Sequence, residues 1–102
     1  LDEFDALCKH LGTLHPSKYK ALVEGVTLAC VSGVHAAPDQ TVALRLVVLA
    51  DRLYDANIPL MVSGGKLDEL FTEEMLAGGY RKKYLRATSR LLALSRFAEK
   101  TG

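Results

Sequence analysis

Residues 38–65 read PDQTVALRLVVLADRLYDANIPLMVSGG, and the fold depends on how this stretch is parsed. Asp39, after Pro38, is a residue type that caps helices, because its carboxylate accepts from N–H groups the first turn leaves unpaired. Val42, Leu46, Leu49, Ala50 and Leu53 recur at helical spacing as far as Tyr54. Asn57 tolerates the left-handed conformation that ends helices, and Pro59 forbids continuation. Residues 58–62 are too short for a helix and too apolar for a surface strand. They are expected to form a strand buried on both faces, as in parallel sheets.

On the N-terminal side, residues 26–31 are β-branched and apolar enough for a second strand. The long helix then becomes the crossover of a βαβ unit, which is right-handed in nearly every case. The two strands end alike, Val31-Ser32-Gly33 and Val62-Ser63-Gly64. Parallel pairing sets both ends at the sheet edge where open α/β folds bind ligands. Before them, residues 2–11 carry Phe4, Leu7, Cys8 and Leu11 on one helical face. Pro16 or Ser17 starts a short helix with Tyr19, Leu22 and Val23 inward, and Gly25 breaks it. After residue 65, Leu67, Leu70 and Phe71 predict a helix over 66–72, with 73–76 continuing it or forming a separate turn. Gly78-Gly79 is a break. Residues 80–84 alternate aromatic and basic side chains, as in an edge strand or extended link. Residues 86–98 form the last helix, with Leu91, Leu94 and Phe97 inward. The expected class is α/β, a small parallel sheet packed with helices, and one domain over 1–102.

A length of 102 residues suits one small domain or a piece of a larger protein, and the opening Leu is what a fragment or processed chain shows. At 49% hydrophobic residues the chain can fill a core and is not a disordered segment. No apolar run approaches the ~20 residues of a membrane span, and no signal-peptide pattern opens the chain. Cys8 and Cys30 lack ligand-like spacing and read as reduced, buried thiols of a cytosolic protein. The net charge of +1 hides an asymmetry: beyond Gly78, seven cations face Glu99 alone. A polyanion or an acidic neighbour suits that tail, as does a solvated helix face complementing an acidic body.

Ser63-Gly64-Gly65-Lys66 between strand and helix invites comparison with a phosphate-binding loop. It is too short for GxxxxGK[ST], and Leu67 stands where a magnesium-reaching hydroxyl belongs. His10, His15, His35 and Cys8 have no zinc-ligand spacing, and no serine lies in a GxSxG elbow. Asp51 and Asp55 share a helix face, where capping or pairing with Arg45, Arg52 or a neighbouring segment competes with acid–base chemistry. Arg86 and Arg90, also four apart, present two guanidinium forks that suit a phosphate, a carboxylate pair or a structural contact.

Phe4-x-x-Leu7-Cys8, Tyr19-x-Ala21-Leu22, Arg45…Leu49-x-Asp51-x-x-Tyr54-Asp55, the strand to Ser63, Glu69-Leu70-Phe71 and Arg86-x-x-Ser89-Arg90-Leu91 follow in order. Together they resemble the C-terminal portion of the AFG1-like (ZapE-like) ATPases. The most specific parts are the D-x-x-Y-D helix and the R-T-x-S-R-L segment, which reads Arg86-Ala87-Thr88-Ser89-Arg90-Leu91 in this chain. The chain departs from the family at Leu44-Arg45-Leu46, usually two arginines and Phe, at Lys18-Tyr19, usually Asp-Tyr, and at Ala93-Leu94, usually Glu-Met. The resemblance implies a P-loop ATPase of the AAA+ type whose Walker motifs, absent here, lie upstream and hold ATP and Mg2+. It implies that this region alone is not catalytic. Arg86, Arg90 and, third, Arg45 would contact nucleotide phosphates or an adjacent subunit of a homo-oligomer. The whole protein would remodel a partner protein, as in bacterial cell division, in the cytoplasm, with no membrane span and nucleic acid disfavoured. The alternative is a non-catalytic interaction module whose basic C-terminal helix docks a protein or nucleic acid.

Overall fold

Asp39 caps the long helix as its sequence position predicts, its carboxylate accepting from the Val42 N–H at 2.9 Å. The computed structural model describes residues 2–101, with side chains for 2–99. Three parallel strands, β1 (Asp2–Glu3), β2 (Ala29–Val34) and β3 (Leu60–Gly64), form a sheet in that order. Between β1 and β2 run α1 (Phe4–Gly12) and α2 (Tyr19–Val23), the latter led by a 3-10 turn at Pro16–Lys18. The crossover α3 (Gln40–Asp55) joins β2 to β3, and α4 (Glu73–Leu76) and α5 (Arg81–Thr101) complete the chain. The α/β class and the βαβ unit are therefore those the sequence predicts.

The apolar stripe of α3 (Ala43, Leu46, Val47, Leu49, Ala50 and Leu53) is buried. At its far end Asn57 adopts φ 55°, and its neighbour Ile58 is buried with its N–H on the Leu53 carbonyl. That geometry is the left-handed stop the residue type anticipates.

Five elements differ from the sequence expectation. The central strand lies at 29–34 rather than 26–31, and Val26 and Leu28 are exposed. Pairing begins where the Ala29 N–H meets the Pro59 carbonyl at 3.0 Å; before Pro59 the chain is still leaving α3, so among the described residues no strand pairs with 26–28. Asp2 and Glu3 are a strand opposite Val31 and Ser32, not the first turn of a helix. Glu3 instead caps α1, accepting from the Asp5 N–H at 3.0 Å. β3 runs two residues further than expected and is buried on one face: Leu60 lies in the core while Met61 is 55% exposed. Helix α5 packs on β3, Leu60 shares a cavity with Leu46, Ala50 and Leu53 of α3 and Leu91 of α5, and among the described residues no element covers Met61.

The stretch after β3 makes only a 3-10 turn at Leu67–Glu69, and α4 starts afresh where Thr72 caps it, accepting from Met75 at 3.2 Å. Residues 80–84 enter a helix rather than a strand. Tyr84 is fully buried, stacked on Phe71 at 4.7 Å, and Ala87, Leu91 and Leu94 follow it at helical spacing. The same phase leaves Phe97 exposed and buries Ala98.

Between Val31/Val62 and Val34/Gly64 the register slips by one residue, and β2 holds the extra one. Gly33, at φ 70°, sits in that bulge. The alike strand ends thus match in space at Val31 and Val62. Both cysteines are free and only half-buried. No helix among the described residues is long and apolar enough to cross a membrane.

Candidate functional site

Helical spacing places Asp51 and Tyr54 a turn apart on α3, and Arg86 and Arg90 a turn apart on α5. Packing of α3 on α5 brings the two pairs together. Arg90 donates to Asp51 Oδ1 at 2.6 Å, and its guanidinium lies 4.9 Å from the centre of the Tyr54 ring. Arg86 reaches the other oxygen of the same carboxylate more loosely, at 3.7 Å. Asp51 is 19% exposed, Arg90 29% and Arg86 54%. The site is a graded clamp. Arg90 is held in place by a short charge-assisted bond and an aromatic face. Arg86, the more exposed of the two arginines, can turn to a second anion without unmaking the Asp51–Arg90 bond.

Arg45, the third arginine of interest, belongs elsewhere. Six residues before Asp51, it projects about 240° round the helix from it. Its guanidinium lies against Gly12, where a Cβ would sit 3.1 Å from one of its nitrogens. Gly12 is the last residue of α1, so the cation meets the negative end of that helix dipole. Arg45 also faces Tyr19, whose hydroxyl donates to the Leu11 carbonyl at 2.8 Å; burial raises the Tyr19 pKa, and Arg45 offsets part of that rise.

The remaining sequence candidates are not drawn into one site. Gly64, at φ 100°, and Gly65 press against the end of β2: a Cβ at either would come within 2.7 Å of the Val34 backbone. The Gly65 N–H is spent on the Val34 carbonyl at 2.6 Å, so the glycine pair serves strand packing rather than a phosphate cradle. His15 accepts from the Ser17 N–H at 3.2 Å, starting the turn before α2, and His35 pairs with Asp5. Among the described residues no group of three or more His, Cys, Asp or Glu side chains can hold a metal ion. Asp55 is exposed and makes no ion pair among the described residues, which separates it from Asp51.

Pairing of Asp51 with a neighbouring segment is among the options the sequence leaves open; the part played by Tyr54 is not. The available signal is that both residues sit in the D-x-x-Y-D helix and Arg90 in the other most specific segment. Motifs 39 residues apart thus close on one another.

A βαβ-built sheet carrying this inter-helix clamp defines an α/β protein. The profile of the AFG1-like ATPases matches residues 1–100, and the chain belongs to that family. Its function is accordingly related to ATP hydrolysis. No curated protein and no solved structure is significantly similar to the chain.

Proposed function

We propose that the protein couples ATP binding and hydrolysis to the remodelling of a partner protein, and that Arg86 is this region's contact with nucleotide phosphates or a neighbouring subunit. ATP and Mg2+ are held by Walker-type motifs outside residues 1–102, which contain no GxxxxGK[ST]. The observation that carries the reading is the half-engaged state of Arg86 beside a locked Arg90, in a member of an ATPase family. Arg90 and Asp51 then act as positioning residues, and Arg45 as a brace between α1 and α3. A homo-oligomer in the bacterial cytoplasm, serving cell division, is the setting that accords with the family resemblance.

Full-length protein carrying Arg86→Ala tests this: nucleotide affinity or turnover falls while the melting temperature stays put. Unchanged affinity and turnover remove Arg86 from the reaction.

A second reading rests on α5. Arg81, Lys82 and Lys83 are exposed and make no ion pair among the described residues, and Lys83 lies over the Tyr80 ring at 5.5 Å. A basic start to a helix that carries no acid in its first turn favours an acidic partner, protein or nucleic acid. Salt-sensitive binding lost in a triple glutamine variant, with ATP turnover intact, selects this reading.

A further inference from the structure

His35 stands just past β2, and both of its ring nitrogens meet oxygen atoms. Nδ1 is 2.8 Å from the Ala36 carbonyl, Nε2 is 2.5 Å from Asp5 Oδ1, and the Phe4 ring lies edge-on at 4.8 Å. A carbonyl and a carboxylate only accept hydrogen bonds. A neutral imidazole has one N–H and satisfies one of them; the imidazolium satisfies both.

We infer that His35 is a proton-operated latch: as imidazolium it fastens the β1–α1 corner to the carboxyl end of β2, and losing its proton loosens that corner.

Among the described residues β1 spans Asp2–Glu3 and pairs with β2 at Asp2–Val31 and Glu3–Ser32. Phe4, at the start of α1, supplies the buried anchor. The charges facing the ring come from Asp5 on α1 and Glu3 on β1, whose stem runs beside Gly33; β2 and β3 bring no charged side chain. The hydrogen bond to Asp5, then that to Ala36, raises the His35 pKa, desolvation opposes them, and the charges of Asp5 and Glu3 add to the rise. A raised folded-state value fixes the sign: what the imidazolium adds over the neutral ring is present in full below the ordinary histidine value of about 6.5 and is lost as pH climbs through the folded value. Both partners are exposed, so added salt weakens the latch.

The test is made on the full-length protein with 15N-labelled histidine, following the His35 ring nitrogens from pH 5 to 9. Amide exchange at residues 3–5 is measured in parallel for wild type, His35→Gln and Asp5→Asn at matched pH. The expected result is a doubly protonated ring persisting above pH 6.5, a midpoint lowered by Asp5→Asn, and wild-type exchange rising to the His35→Gln level once the ring is neutral. A single-N–H ring at pH 6.5, or exchange at the corner indifferent to both substitutions, overturns the inference. The wild-type titration decides by itself should a variant fold poorly.

Discussion

Arg90 and Arg86 answer to one carboxylate but differ in what their loss costs. Removing Arg90 leaves a largely buried Asp51 without its 2.6 Å partner and strips the Tyr54 ring of its cation. Arg90→Ala is expected to lower stability by about 2 kcal/mol, the scale of a charge-assisted bond, read from the denaturant midpoint. Arg86→Ala, at an exposed and stretched contact, is expected to stay within about 0.5 kcal/mol in the same measurement. A double-mutant cycle between Asp51 and Arg90 isolates the coupling, and additive losses would sink the clamp. Cys8 offers a second residue-scale check. Burial, then the charge of Asp5, pushes its thiol up to about 11. The thiolate is the reactive form, so at pH 8 only about one molecule in a thousand is poised to react. Alkylation of Cys8 is expected to be slow at pH 8 and to climb steadily towards pH 11; mass spectrometry of the Cys8 peptide reads it directly.

Among the elements, α3 owes its two ends to single residues. Asp39→Ala removes the bond to the Val42 N–H and is expected to cost about 1 kcal/mol, seen as a lower midpoint at unchanged m-value. The β2–β3 junction is less forgiving. A methyl at Gly64 meets the Val34 nitrogen at 2.7 Å from a left-handed backbone, so Gly64→Ala is expected to cost about 2 kcal/mol or more. An effect under about 0.5 kcal/mol would show that the two strand ends have room to part. The start of α5 shows why local pattern misleads: residues 80–84 alternate like a strand, yet the slot under Phe71 accepts Tyr84 only at helical phase with Ala87 and Leu91.

At the scale of the whole molecule, the sheet is clothed on one side. Val26, Leu28 and Met61 are exposed, and a groove of about 500 Å3 between α1, α2, α3 and β2 takes in Val26 and Leu28. Among the described residues uncharged β3 is also an edge strand, with neither lysine nor proline to deter pairing. The 102-residue chain is expected to self-associate at high concentration, and Met61→Lys to reduce that association in light scattering without lowering the melting temperature. Equal scattering from both would show that the bare face is harmless.

Cap, period and stop residues lie within a turn or two of what they control, which is why α3, its boundaries and the βαβ crossover were legible in the chain alone. The same holds for the inward phase of Leu91 and Leu94. What only tertiary structure decided are the matters that need a distant partner. Strand β1 exists because Val31 and Ser32 lie beside it, and β2 begins where Pro59 offers a carbonyl. His35 finds Asp5 from 30 residues away, and Arg90 finds Asp51 from 39. A composition rich in apolar residues specifies that a core forms; which face of the sheet remains bare depends on where the helices can pack.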